Sequence, residues 1–459
     1  MYRKEQKMES NKVQKAMPMI MLAFILAGDL QEAFNVCAPI ITKDLQISSS
    51  DVSMISAVAM LTMGVAYIVY TALSDYMSIK KLLIAGTVIS AVGSVAGIFF
   101  SHSFLAVVVC RAVQMAGGTS ASALLILTAT RYLDEKVRMK YYGYNTACFS
   151  GGQLLGIFLG GLFATYIGWR FLFLIPVFSL ITIPPIMKYL PEDSGEEKTK
   201  IDFFGIFLLS ALSLFISLYF NVMHVNFLLI SAVIAVVFLI WISKYKNAFI
   251  TIDFFLNWKY MLVIQVVLIT YLTQGSYSFL FSFLASDVYQ VEASRISMML
   301  LPSYAVSMAI GIMGSRITKK AGVTKTLVMG LGSMILGLVL GSFFMEKNMA
   351  VLVIMSCLFN GGFSILYTPI MTLVINSLPE RMRGTGLGFF NLCIKITSST
   401  GIVITGQLLT LKGLQSASIV SGISDTAAVY SNILLIFCCV VIVSLITANI
   451  IKKFLKIKN

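Results

Sequence analysis

The chain has 459 residues, of which 58% are hydrophobic and 12% charged, and its formal net charge is +14. Soluble domains carry roughly 25% charged residues, so this composition excludes water as the solvent of the folded chain and makes lipid its surroundings. The positive balance does not point to nucleic acid, because Lys and Arg fall in short runs between apolar stretches and build no single basic face.

In chain order, a basic segment, 1–15, leads into an apolar run that is too long for a signal h-region and lacks a small-residue cleavage site. It is expected to remain as the first span. A helix needs about 20 apolar residues to cross the bilayer core, and fourteen stretches qualify. The first six lie near 16–41, 52–73, 82–100, 104–130, 143–167 and 171–190. A central pair follows at 203–222 and 225–243, then 261–285, 297–317, 325–345, 349–377, 386–411 and 429–451. The expected fold class is therefore an all-α polytopic membrane protein. Its parts are an N-terminal segment 1–15, a six-helix bundle 16–190, a linker with two central helices 191–260, a second six-helix bundle 261–451 and a tail 452–459.

Orientation follows from where the cations fall. With fourteen spans both termini share one side, and that side holds 27 Lys and Arg against 5 in the opposite loops. A wrong span count would scramble this alternation, so the bias predicts both termini in the cytoplasm and a multi-pass plasma-membrane protein. No loop is long enough for a catalytic domain; the longest polar one starts at Pro191.

Ionisable residues inside lipid cost a few kcal/mol and are functional candidates by default. Only four lie well inside spans: Asp29, Glu32, Arg111 and Lys395. Asp29 and Glu32 are three apart and are expected on one helix face. Close carboxylates repel in low dielectric, which raises at least one pKa and suits a proton carrier. The competing expectation is a structural ion pair with Arg111. Arg111 does not titrate, but its field tunes a neighbouring carboxylate, and Gln114 follows one turn later. Lys395 either lines a pocket or snorkels to the interface.

No enzyme constellation emerges. His102 and His224 fall in short loops, and the seven cysteines lie in apolar segments without zinc or disulfide spacing. No cofactor, metal or catalytic residue is expected. Gly117-Gly118 and Gly361-Gly362 lie inside spans and read as packing sites.

Leu73-Ser-Asp75-Tyr-Met-Ser-Ile-Lys80-Lys81 resembles the cytoplasmic loop motif of the major facilitator superfamily, with Thr71 and Ser78 where that motif has glycines. Arg111-Ala-Val-Gln114 resembles the family's Arg-x-x-Gln-Gly element, with Met115 for the glycine. Gly152, Gly156, Gly160 and Gly161 resemble its antiporter signature, with Ile157 where proline usually stands. Gly168-Trp169-Arg170-Phe171 is a common companion. Gly314-Ser-Arg316-Ile-Thr-Lys319-Lys320 is a degraded second copy of the loop motif, and Arg381-Met-Arg383-Gly384 fits the same pattern; paired halves are a transporter signature. The chain is thus similar to fourteen-span drug:proton antiporters, and most to Gram-positive tetracycline efflux pumps. Some of those carry an acid in span 13, where this chain has Ser398 and Ser399.

The resemblance implies the major facilitator fold and proton-coupled efflux of amphipathic drugs such as tetracyclines by a monomer. A tetracycline is then expected to leave as a metal-chelated monocation in exchange for one proton. Export of an endogenous metabolite or lipid-like compound is the alternative, and a non-transporting sensor or scaffold the alternative of another class. Asp29, Glu32 and Arg111 are the expected coupling residues. Asp75, Lys80 and Lys81 are the expected conformational loop. A midplane pocket is expected from Asn35, Tyr67, Gln114, Gln274, Asn360, Tyr367, Asn391 and Lys395.

Overall fold

A computed structural model describes residues 2–28, 31–74, 76–192, 202–245, 252–378, 383–415 and 418–455. Among these there is no strand, and fourteen helices are long and apolar enough to cross a membrane. We number them α1 (Ser10–Leu45), α2 (Ser49–Leu73), α3 (Ile79–Phe99), α4 (Phe104–Tyr132), α5 (Ala147–Tyr166) and α6 (Trp169–Tyr189). The central pair is α7 (Phe203–Val222) and α8 (Val225–Lys244). The rest are α9 (Trp258–Tyr289), α10 (Ala293–Ala321), α11 (Val323–Phe344), α12 (Met349–Asn376), α13 (Phe389–Thr410) and α14 (Asp425–Ile451). The helix that includes α13 begins at Arg383.

The chain divides into two compact units, Met1–Phe34 with Val58–Ile201, and Asn35–Ala57 with Asp202–Asn459. In the first, the core is built where α1 meets its neighbours. Val13, Met17, Ile20 and Phe24 of α1 pack with Leu82 and Leu83 of α3, Leu124 and Leu125 of α4 and Ile186 of α6. A π-helical turn, Phe24–Gly28, interrupts the α-helical winding of α1 just before its polar residues. Such turns recur at functional sites.

Lipid is as apolar as leucine, so helices in it associate through close packing at small residues. Both units use one arrangement. In the first, a Cβ on Gly86 would meet the Gly117 carbonyl at 2.8 Å, and one on Gly93 the Gln114 amide at 2.6 Å. In the second, a Cβ on Gly330 would meet the Gly362 carbonyl at 2.8 Å, and one on Gly337 the Phe359 amide at 3.0 Å. The third helix of each half therefore lies directly on the backbone of the fourth. The spacing of Gly86, Gly93 and Gly97 recurs in Gly330, Gly337 and Gly341. It follows that Gln114 corresponds to Phe359, and Arg111, one turn before, to Ser356.

The central pair is tied at one end by Asp202. Its carboxylate accepts from the Gly205 amide at 2.8 Å, capping α7, and from Trp241 Nε1 of α8 at 2.9 Å. The other faces of the pair are strongly apolar and exposed, as at Phe207, Leu229 and Val233.

Gly337 and Gly332 share α11 but not their surroundings, since a Cβ on Gly332 meets nothing within 4 Å. Gly337→Ala is expected to destabilise the detergent-solubilised protein by about 1–3 kcal/mol through overpacking. Gly332→Ala is expected to be neutral or to stabilise by up to about 1 kcal/mol through helix propensity. Thermal unfolding of the two variants side by side checks both.

Candidate functional site

In the first unit the buried polar residues gather around Arg111 of α4. Its side chain is wholly buried, and no carboxylate among the described residues pairs with it. One terminal nitrogen donates to Gln31 Oε1 at 2.8 Å and the other donates to Gln114 Oε1. The guanidinium lies 3.9 Å from the centroid of the Phe34 ring, a cation–π contact inside the protein. Its Nε has no partner among the described residues. Gln114 in turn donates to Ser94 Oγ of α3 at 2.8 Å. The motif element Arg111-x-x-Gln114 is thus one bonded pair joining α4 to α1 and α3.

Glu32 lies between Gln31 and Phe34 along the chain and is 3% exposed. The expected i, i+3 pairing of Asp29 with Glu32 presumes an unbroken α-helix. Asp29 lies outside the described residues, and with it this expected pairing. The glycine signature of α5 is buried throughout, and it packs here: a Cβ on Gly160 would meet Ala33 Cα at 2.8 Å. Gly160 therefore lets α5 approach α1 beside Glu32. Tyr67 is half-buried against the apolar core of the same unit.

The loop motif lies at the end of this unit that carries the N-terminus. Asp75 is outside the described residues. Ser78, at a motif glycine position, caps α3 by accepting from the Lys81 amide at 3.2 Å. Lys81 pairs with Glu192 at 3.0 Å. That hydrogen bond and charge, with Lys80 nearby, hold the Glu192 carboxyl below its usual range. Both side chains are exposed, so the pair contributes little stability. The firmer grip comes from Arg131 of α4, whose two terminal nitrogens both donate to the Ser74 carbonyl at 3.3 Å.

In the second unit, α12 presents Ser356, Asn360, Phe363 and Tyr367 on one face. Ser356 hydrogen-bonds Tyr277 of α9 at 3.0 Å, and the Tyr277 ring stacks on Phe359 at 4.0 Å. Asn360 donates to Ser303 of α10 at 3.0 Å. Phe363 meets the Tyr271 ring edge-on at 4.9 Å. Tyr367 continues the stripe with its side chain 46% exposed, while Ile354 faces outward on the opposite side of the helix. Along α9, Tyr271, Gln274 and Ser278 form the matching stripe. Ser398 of α13 donates to the Tyr271 carbonyl at 3.2 Å, which brings Lys395 and Asn391, one and two turns along, to the same region. Lys395 lies about 9 Å along the axis from the start of α13 at Phe389, at 1.5 Å per residue.

Asn35 belongs to this second unit. Its amide donates to Ser278 Oγ at 3.2 Å, and it accepts from Ser56 Oγ at 2.6 Å. Of the expected residues, the structure thus brings Arg111 and Gln114 together, leaves Glu32 buried next to Gln31 in the chain, and separately gathers Gln274, Asn360, Tyr367, Asn391 and Lys395. Gln31, Ser94, Arg131, Tyr271, Tyr277 and Ser356 were not anticipated. The repeated glycine spacing is the sequence signal that would have found Ser356, through its correspondence with Arg111.

Residues 20–402 match the Major Facilitator Superfamily. The chain is 21% identical to Multidrug resistance protein Stp of Mycobacterium tuberculosis (strain CDC 1551 / Oshkosh), over 82% of this chain and 72% of that one. It is 22% identical to Putative multidrug resistance protein MdtD of Escherichia coli O6:H1, over 86% of each. Among solved structures, the POT family transporter PepTSo matches with a TM-score of 0.69 at 12% identity, over 97% of this chain and 99% of that one. A D-xylose-proton symporter matches at 0.67 and 12% identity, over 95% and 97%. With fourteen apolar helices and this fold, the chain belongs to the Major Facilitator Superfamily and is a multi-pass membrane transporter, not an enzyme.

Proposed function

We propose that this transporter exports amphipathic drugs, tetracyclines among them, in exchange for protons, working as a monomer in the plasma membrane with both termini cytoplasmic. The observation that carries the reading is Glu32. A carboxyl that is 3% exposed within a span has a desolvation cost that no packing role repays. It stands beside Gln31 and Phe34, which hold the buried Arg111 charge. Protonation of Glu32 changes the net charge of this cluster, so the wet side from which it is reached decides whether it loads or releases. The names of the Stp and MdtD relatives support drugs as the cargo.

The stripe of Gln274, Asn360, Tyr367, Asn391 and Lys395 serves as the drug face in this reading. It offers aromatic surface with a few polar groups, which is the usual make-up of a small-molecule site. The loop held by Arg131 then orders one conformation and touches no drug.

Three outcomes are expected in everted vesicles loaded with a pH gradient. Glu32→Gln keeps the shape of the side chain but not its proton, so initial tetracycline export should fall about a hundredfold or more while the protein stays in the membrane. Normal export by this variant sinks the coupling role. Arg131→Ala removes a charged hydrogen bond of about 1.5–3 kcal/mol. It should lower the maximal rate about tenfold with KM unchanged; a raised KM at full rate counts against the loop's role. If a chelated monocation leaves for one proton, the pH gradient alone should drive export, because charge movement cancels. Strong drive by membrane potential without a pH gradient refutes one-for-one exchange.

A further inference from the structure

The segment 35–57, which joins α1 to α2, is bound into the second unit by a row of hydrogen bonds along α2. Ser399 of α13 donates to the Ala57 carbonyl at 2.7 Å, and Ser49 donates to the Gly406 carbonyl at 3.2 Å. Gly406 leaves no room for a side chain, since a Cβ there would meet the Ser49 carbonyl at 2.7 Å. In the proposed orientation this row lies at the outer face of the membrane. One link in it comes from neither bundle. Asn221, at the last turn of α7, donates to the Ser50 carbonyl at 2.9 Å and lies 3.1 Å from its hydroxyl. That hydroxyl is 2.9 Å from Gln407 Oε1 and 3.2 Å from the Asn221 carbonyl, so it donates to one or the other. Ser50 is thereby gripped from two sides, by α13 and by the central pair.

The face of α7 that leads to Asn221 carries Ser213 and Ser217, spaced one turn apart. Both are buried, and neither hydroxyl has a partner among the described residues. Apart from Ser210, which bonds back to the Ile206 carbonyl of its own helix, the polar bonding of this face among the described residues is thus at its outer end, on Ser50.

We propose that Asn221 makes the central helix pair a brace for the outer seal: by holding Ser50 against Gln407 it stabilises the state in which α2 is closed on α13. This rests on the alternating-access reading above, in which α2 must leave α13 for drug to be released outward. Asn221 is a positioning residue that meets neither drug nor proton. Without it, the closed state loses two hydrogen bonds worth about 1 kcal/mol each, a factor of about 5–30 in the open-to-closed ratio.

The brace is read without any drug. Ser53 is fully buried beside Gly406, so a Ser53→Cys reporter labels slowly with a membrane-impermeant maleimide added outside. The protein with Ser53 intact is the blank for the seven native cysteines. Adding Asn221→Ala, or Asn221→Asp, which keeps the shape but loses the donor, should speed labelling about 5–30-fold. An unchanged labelling rate in both overturns the brace. A second arm uses Ser50→Cys with Asn221→Cys in cells exporting ethidium. Once the link is oxidised, and shown complete by mass, export should stop and return on reduction. Full export with the link intact overturns the brace. If the wild-type protein exports neither ethidium nor tetracycline, the drug reading fails, while the labelling arm still decides the brace.

Discussion

A guanidinium that cannot lose its proton is buried completely in a protein whose surroundings are hydrocarbon. Its charge must be met from within, and here two neutral amides and an aromatic face meet it. Gln31, Gln114, Phe34 and, through Gln114, Ser94 are fixed by that requirement, and they bind α1, α3 and α4 to one another. The apolar core of the first unit draws on the same three helices together with α6. A buried cation held by neutral oxygens also has an unspent field. Under the proposed function, that field is what Glu32, next to Gln31 in the chain, works against.

The second unit answers the same geometry with different chemistry. The glycines of α11 repeat those of α3, and the helix each glycine row rests on carries an equivalent pair, Arg111 and Gln114 in one, Ser356 and Phe359 in the other. In both cases the pair reaches back to the first helix of its half, to Gln31 and Phe34 or to Tyr277. The frame is duplicated while its contents diverge. One half buries the Arg111 charge; the other lines its face with rings and amides, with Lys395 among them. Under the proposed function, this divides coupling from recognition between the halves.

The fourteen spans were legible because lipid demands long uniform apolar runs, which a single sequence displays without ambiguity. Arg111 and Gln114 were legible because a charge in a span is rare enough to notice. Their partners were not. Gln31 and Ser94 are ordinary residues in an amphipathic background, and nothing in the spacing along the chain says that they converge. Tyr277 and Ser356 are still further apart and carry no charge to draw notice. The bonding of the row from Ser49 to Ser56 was hidden as well, since its partners Gly406 and Gln407 are separated from it by most of the chain. The π turn before Glu32 was also hidden, because Phe-Ile-Leu-Ala-Gly is equally at home in an α-helix.

The cap at Asp202 has a bearing on how the chain is assembled. With its carboxylate shared between the start of α7 and Trp241 near the end of α8, and with only Met223 and His224 between the helices, the central pair closes on itself through contacts that need no other span. It can therefore enter the bilayer as a finished hairpin during synthesis, before the helices that follow have left the ribosome. Asn221 then stands ready at the hairpin tip, and Ser50, made far earlier, completes its bonding only when α13 is inserted. That polar contact thus joins three segments made at widely separated times, one from the beginning of the chain, one from its middle and one from its thirteenth span.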